Sequence, residues 1–410
     1  MKINKERIKN IIETFATYND SPDNGISRFS YSETDCKARE YLIGLCTEIG
    51  LKVRVDSIGN IFARLEGSNP NLPIVMSGSH IDSVKNGGRY DGIVGVVGAL
   101  EAIKVMVENN YKPQHSIDLV IFSEEEGSNF QVPVMGSKVL VGKLDIEDLK
   151  QIKNAKGEIA FDVIKRAGFN PDNITRDKIN KGEIKAMVEM HIEQSVRLEM
   201  EGQTLGIVKG IAGLQWLKIT LSGCSNHAGA TPMHLRSDPM VAASQIIAEI
   251  KFMAKSTSNS TVATVGNIDV NPNIPNAIPG KVSFIVDIRD VNQNSIDGVV
   301  ELIKMATAKY SKENNVDFDI SKLASTDTIK IQQYLIDIME KNAKSLNIDY
   351  ILMPSGAVHD SNYMAEVTDV GMIFVPSKGG RSHVKEEFTS WEDIEAGTDL
   401  LLATLIELSK

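Results

Sequence analysis

Apolar residues recur at helical spacing over residues 4–18 and 33–49, and residues 51–65 read as two strands that turn at Gly59 and Asn60. A short apolar run at 72–76 (LPIVM) has Pro73 near its start and Gly78 just past its end, which predicts a buried strand. Residues 92–107 return to helical spacing. Further strand-like runs lie at 118–122 (DLVIF), 187–190 (MVEM) and 372–375 (MIFV), and the charged stretch 144–167 predicts a helix. This alternation predicts an α/β fold. From Gln215 the pattern changes. QWLKITLSG alternates as a strand, 239–253 is an amphipathic helix, and 262–270 and 281–287 are strands. A helix over 295–310 and a strand at 316–320 complete a compact α+β unit, after which 328–346 and 391–408 are helical.

A polar group follows each of the strand-like runs in the α/β part. His80 comes after the first, Glu124, Glu125 and Glu126 after the second, His191 after the third and His383 after the fourth. Asp91 stands before the helical stretch at 92–107 and reads equally as its N-cap. His80 alone would be a structural histidine, and three glutamates alone an acidic loop. Strand ends of an open α/β sheet converge on one crevice, however, and His, Asp, Glu, His and His gathered there are a set that metals favour. Asp82 is positioned to accept the second N–H of the His80 ring and fix its tautomer. Because such motifs lie on both sides of the α+β unit, residues 213–327 read as inserted into a domain made of 1–212 and 328–410.

Composition narrows the classes. The length of 410 residues suits two domains, and 42% hydrophobic with 24% charged residues is ordinary for a soluble globular protein. A net charge of −10 argues against nucleic acid as a partner, which needs a basic surface. No apolar run approaches the ~20 residues of a membrane span. The first residues, MKINKERIKNIIETF, form a charged amphipathic helix with no signal-peptide core, so a cytoplasmic location is expected. Cys36, Cys46 and Cys224 lack any paired ligand spacing and read as idle thiols. His115 and His234 read as solvated or structural.

Seven segments in order, GSHIDSVKNGGRYDG (78–92), EEEGSNF (124–130), HIEQ (191–194), NHAGATPM (226–233), DIR (287–289), SGAVHD (355–360) and GGRSH (379–383), carry a resemblance. They resemble the amidase, hydantoinase and carbamoylase branch of the M20 metallopeptidase family. That branch includes N-carbamoyl-L-amino-acid hydrolases, allantoate amidohydrolases and β-ureidopropionases. The resemblance implies an aminopeptidase-like catalytic domain with a mixed sheet flanked by helices, and an inserted lid or dimerisation domain. It implies that His80, Asp91, Glu126, His191 and His383 hold two divalent ions, Zn²⁺ first, with Mn²⁺, Co²⁺ or Ni²⁺ as alternatives, and that Asp91 bridges them. Glu125 would be the general base.

By the same resemblance His227 reaches into the partner subunit's site of a homodimer and stabilises an oxyanion. Gln215, Asn276, Arg289 and His359 would bind substrate. A guanidinium fork suits a carboxylate, with half of a surface or interdomain ion pair as the alternative reading of Arg289. Asn276 lies in NAIPG, which also reads as a turn, and His359 as part of a structural loop. Two positions depart from the branch: Val358 stands where glycine is usual, and Asn129 where arginine is frequent. The implied reaction removes the carbamoyl group of an N-carbamoyl-L-amino acid, with allantoate hydrolysis as the alternative ureide reaction. An aminoacylase or dipeptidase is the wider-family alternative, against which the glutamine of HIEQ argues, and a noncatalytic metal-binding protein is the non-enzyme alternative.

Overall fold

The structure is a computed structural model describing residues 1–410, and the chain divides into two compact units. The first comprises Met1–Lys209, Ile331–Met353 and His359–Lys410; the second comprises Gly210–Lys330 and Pro354–Val358. The second unit thus contains residues 213–327 and also takes Pro354–Val358, a stretch the sequence reading left with the first.

In the first unit, helices α1 (Lys5–Thr17) and α2 (Glu33–Ile49) precede the strands β1 (Lys52–Val55), β2 (Ile61–Leu65) and β3 (Ile74–His80). Helix α3 (Ile93–Glu108) follows, then β4 (Ile117–Phe122) and β5 (Ile184–Ile192). The sheet runs β1-β2-β4-β3-β5 and continues through the strands Asp369–Val375 and Leu205–Ile211. It is mixed. β3 lies parallel to β4 and β5, and Asp369–Val375 parallel to β5, whereas β2 is antiparallel to β4. The parallel centre therefore delivers the carboxyl ends of neighbouring strands to one edge: His80 lies opposite Phe122, and His191 opposite Phe374.

Strand β3 runs past residue 76, where its apolar run ends, because its polar residues are satisfied in place. The Ser77 hydroxyl donates to the Val188 carbonyl at 2.7 Å and the Ser79 hydroxyl to Glu189 Oε1 at 2.8 Å. Helix α3 is buried from Ile93 to Ile103 and packs on β3 and β5. Gly95 lets it approach β5, since a Cβ there would stand 2.2 Å from the Met190 carbonyl oxygen. The helix Trp391–Leu408 packs beside it.

The expected helix over 144–167 is instead two short helices, Ile146–Gln151 and Ala160–Arg166. Between them the Asn154 side chain accepts the N–H groups of Lys156 and Glu158, and Gly157 has φ +80°, so the backbone turns rather than continues. The expected helix from 328 begins at Gln333, after a two-residue strand Ile329–Lys330. The strands Leu205–Ile211 and Tyr350–Ser355 were not read from the sequence.

The second unit has a four-stranded antiparallel sheet of Asp317–Thr326, Gly213–Ser222, Lys281–Asp290 and Val262–Asn271, in that order. Leu217, Ile219, Phe284 and Val286 form its core with the helices Pro239–Thr257 and Gln293–Glu313. No helix of the protein is long and apolar enough to cross a membrane.

Candidate metal centre

His80 is the last residue of β3 and His191 the second-last of β5; both are buried, with ring centroids 5.8 Å apart. The main chain sets each tautomer. His80 Nδ1 donates to the Asp82 carbonyl and His191 Nδ1 to the Ile192 carbonyl, each at 3.0 Å, which leaves both Nε2 atoms as lone-pair donors. Both face Asp91 Oδ1, at 3.5 Å from His80 and 3.1 Å from His191. The other Asp91 oxygen, Oδ2, lies 3.3 Å from His383 Nε2, and Glu126 Oε2 lies 3.4 Å from that same nitrogen. Two ligand groups result, His80–Asp91–His191 and Asp91–Glu126–His383, each with its ligand atoms within 4.8 Å of one another. Asp91 gives one oxygen to each. Glu125 stands beside the first, with Oε2 3.5 Å from His80 Nε2.

Asp91 does not cap α3. The cap residue is Gly92, at φ 67°, with no side-chain hydrogen bond, so the Asp91 carboxylate is free for the cluster. The Asp82 carboxylate likewise has a task other than receiving the His80 ring, since its Oδ1 is 3.7 Å from His80 Nδ1. It accepts the main-chain N–H groups of Glu125 at 3.2 Å and Glu126 at 3.1 Å, and thereby holds the acidic loop.

An imidazole lone pair facing a carboxylate oxygen needs positive charge between them, a proton or a cation. Burial pushes the Asp91 carboxyl up, yet His191, followed by His383 and His80, holds it well below the usual carboxylate range. Burial opposes charge on His80, but Glu125 and Asp91 raise the ring well above the ordinary histidine value. Asp91 pushes His383 up to about 9. Burial, then the charge of Asp91, lifts Glu126 to about 7. His80 Nε2 and Glu126 Oε1 are buried with no hydrogen-bond partner. Orphaned imidazole and carboxylate donors around a shared carboxylate fit divalent cations such as Zn²⁺.

The profile of peptidase family M20/M25/M40 matches residues 76–407. The chain belongs to this family. An N-carbamoyl-L-amino-acid amidohydrolase from a Pseudomonas species (strain NS671) is 38% identical to this M20 chain over 99% of it and 98% of the relative. An allantoate amidohydrolase from Bacillus subtilis (strain 168) is 33% identical over 99% of the chain and 98% of the relative. A solved amidase of the hydantoinase/carbamoylase family from Burkholderia multivorans is 30% identical, with a TM-score of 0.92, covering 100% of this chain and 98% of that one. The family read from the seven motifs is thereby shown, and with it the aminopeptidase-like α/β fold. This M20 protein is an enzyme, a hydrolase of carbon–nitrogen bonds other than peptide bonds. Metal dependence goes with the family, and the two ligand groups are of the kind that holds a metal.

Of the other residues singled out in the M20 motifs, His359 is buried in the first unit, its ring centroid 4.7 Å from that of His191. Burial, then His191, holds its ring well below the ordinary histidine value. Asn129 is tied to the acidic loop: its amide donates to the Ser30 carbonyl at 2.8 Å, and its N–H to Glu124 Oε1 at 2.8 Å. His115 is structural, donating from Nδ1 to the Pro73 carbonyl at 2.6 Å, while His234 is exposed.

In the second unit His227 is exposed, and its Nδ1 accepts the N–H groups of Gly229 and Ala230, both at 3.1 Å. That leaves Nε2 as an N–H donor. Asn276 is exposed beside a two-stranded ribbon in which Ala277 pairs with His227, so NAIPG is more than a turn, and the Asn276 carbonyl accepts the Ala228 N–H at 3.0 Å. Gln215 is half-buried on Gly213–Ser222, opposite Ile288. Arg289 is engaged by its neighbour, with Nε and Nη2 on the Asp287 carboxylate at 2.9 and 3.0 Å and Nη1 donating to the Gly356 carbonyl at 3.3 Å.

Sequence reasoning did not assign the residues behind the ligands. Gln194 Nε2 and the Ser382 hydroxyl each approach Asp91 Oδ2 at 2.8 Å, and Glu387 accepts the Asp91 N–H. Glu189 takes the hydroxyls of Ser79 and Ser361 at 2.8 and 2.6 Å. A charge inside the apolar run MVEM was the readable signal for Glu189, since a buried carboxylate requires partners. Glu387 sits in the polar run after His383, where nothing distinguishes it from Glu386.

Proposed function

We propose that this enzyme is a binuclear metal-dependent amidohydrolase that removes the carbamoyl group of N-carbamoyl-L-amino acids, consuming one water and yielding the amino acid, carbon dioxide and ammonia. The observation that carries this reading is Asp91, with one carboxylate oxygen toward His80 and His191 and the other toward His383 and Glu126. When bound at these residues, divalent cations, Zn²⁺ first, supply Lewis-acid polarisation of the ureide carbonyl and acidify water. Glu125, buried beside His80, takes the proton of the attacking water and passes it to the leaving nitrogen. The N–H at His227 Nε2 is an oxyanion donor contributed to the site of the other subunit in a homodimer. Gln215, Asn276, Arg289 and His359 hold the substrate; for Arg289 this requires a substrate carboxylate to share the guanidinium with Asp287. The enzyme acts in the cytoplasm.

The substrate follows the relative from Pseudomonas, at 38% identity. The Bacillus subtilis relative supports allantoate as the second reading, because that ureide also carries a carboxylate. The experiment is ammonia release by metal-stripped protein reconstituted separately with Zn²⁺, Mn²⁺, Co²⁺ or Ni²⁺, on a panel of N-carbamoyl-L-amino acids, allantoate and ureidoglycolate. Turnover of the carbamoyl amino acids is expected. Turnover of allantoate alone selects the second reading, and silence on every member overturns both.

A further inference from the structure

We propose that Glu387 is a positioning residue that latches the second ligand group, Asp91–Glu126–His383, and supports the first only through the shared Asp91. The inference rests on the two-ion reading given above. Its starting point is the difference in support between the two groups. His80 and His191 stand on adjacent sheet strands and are buried. His383 lies in a loop between the strand Asp369–Val375 and the helix Trp391–Leu408, with φ 61° and a side chain 48% exposed. Nothing in the sheet holds it.

One carboxylate of that loop ties it to the main chain before α3. Glu387 is 4% exposed. Its Oε1 accepts the main-chain N–H of Tyr90 at 2.8 Å and of Asp91 at 3.1 Å. Its Oε2 lies 3.2 Å from the hydroxyl of Ser382, the residue before His383, and that hydroxyl lies 2.8 Å from Asp91 Oδ2. Glu387 therefore joins both sides of the second group: the main chain of the shared residue Asp91, and the residue next to the loop residue His383. The loop closes around this bond. The Lys378 N–H donates to the Phe388 carbonyl at 2.9 Å, and the Phe388 ring meets Tyr90 edge-on at 5.9 Å. Room for the carboxylate comes from Gly88, where a Cβ would stand 2.1 Å from Glu387 Oε1.

The latch acts through hydrogen bonds, which separates it from a charge effect. In Glu387→Gln the amide oxygen still accepts the two N–H groups, and the amide nitrogen donates to Ser382, whose own proton then goes to Asp91. In Glu387→Ala all of these partners are lost. Residues that orient metal ligands contribute about 10–100-fold in affinity.

The test titrates Zn²⁺ into metal-stripped full-length protein by calorimetry, with bound zinc counted by elemental analysis. Wild type is expected to take two ions per chain. Glu387→Ala should weaken one ion about 10–100-fold and the other by less, while Glu387→Gln keeps both within a few-fold. Two ions bound by Glu387→Ala as by wild type overturn the latch, and so does a Glu387→Gln protein that loses the second ion as deeply as the alanine variant. A wild type that takes one ion overturns the two-ion reading and the latch with it. Should Glu387→Ala not fold, Ser382→Ala decides: it should weaken one ion more than the other, and wild-type affinity for both ions overturns the proposal.

Discussion

Three consecutive glutamates of one composition have three different tasks, and the main chain assigns them. Glu124 turns inward at φ 54°, its Oε1 accepting the N–H groups of Asn129 and Phe130 at 2.8 and 2.7 Å. Glu125 faces His80, and Glu126 faces His383. Asp82 holds the N–H groups of the latter two, so the loop is an ordered platform rather than a solvated charge run. Burial, opposed by His80 and reinforced by Asp360 and Glu126, pushes the Glu125 carboxyl well above its ordinary value, the direction a proton-carrying group needs. Glu125→Gln keeps the side-chain volume and removes that capacity. Bound metal should stay near wild type while kcat falls by at least ~10²-fold, measured as ammonia release beside zinc content; unaltered turnover would end the role. His80 and His191 were legible as candidate ligands because each lies at or beside the end of an apolar strand. The acceptor for the His80 ring was not, because a main-chain carbonyl leaves no mark in the sequence, and the Asp82 side chain drew the assignment to itself.

At the scale of elements, periodicity recovered those whose burial is one-sided or complete. Helix α2 and the helix Trp391–Leu408 have the predicted bounds. It failed where a side chain rewires the backbone: Asn154 breaks the charged stretch at 144–167. Helix α3 matters most to the site, because Asp91 enters just before it. Gly95 meets main chain, the Met190 carbonyl oxygen, at 2.2 Å from a built Cβ, whereas Gly98 meets the flexible end of the Met190 side chain at 2.3 Å. Only the second obstacle can swing aside. Gly95→Ala should therefore cost about 1–3 kcal/mol, shift α3 off β5 and reduce activity with it. Gly98→Ala should cost less. Melting temperatures of the two variants check the order, and an equal loss in both would refute the backbone argument.

For the whole molecule, the proposed metal centre makes the cluster around Asp91 a place where cations would replace protons. Metal-stripped protein carries raised values on His383, about 9, and Glu126, about 7. A group whose folded value is raised stabilises the fold below its unfolded value and loses that contribution as pH rises through the folded one. The stripped protein should therefore lose melting temperature between pH 5 and 9, first with Glu126 and then with His383. Zn²⁺ should remove the slope and raise the melting temperature, by about 2.7 kcal/mol of stability for each occupied site at a hundredfold excess over Kd. A stripped protein whose melting temperature is flat over that range would contradict the proton inventory. The second unit enters through His227, whose ring is held by Gly229 and Ala230 with Nε2–H outward. If that N–H serves the other subunit, each active site takes Glu125 from one chain and His227 from the other. A Glu125→Gln chain and a His227→Ala chain, each nearly inactive alone, then recover activity when mixed, because a heterodimer has one site with both residues intact. Random exchange of equal amounts makes half of the dimers mixed, each with one working site of two, so about a quarter of wild-type ammonia release is expected by mass action. Exchange is followed by fluorescence transfer between labelled chains. Complete exchange without recovered activity would place His227 in its own chain's site or outside catalysis.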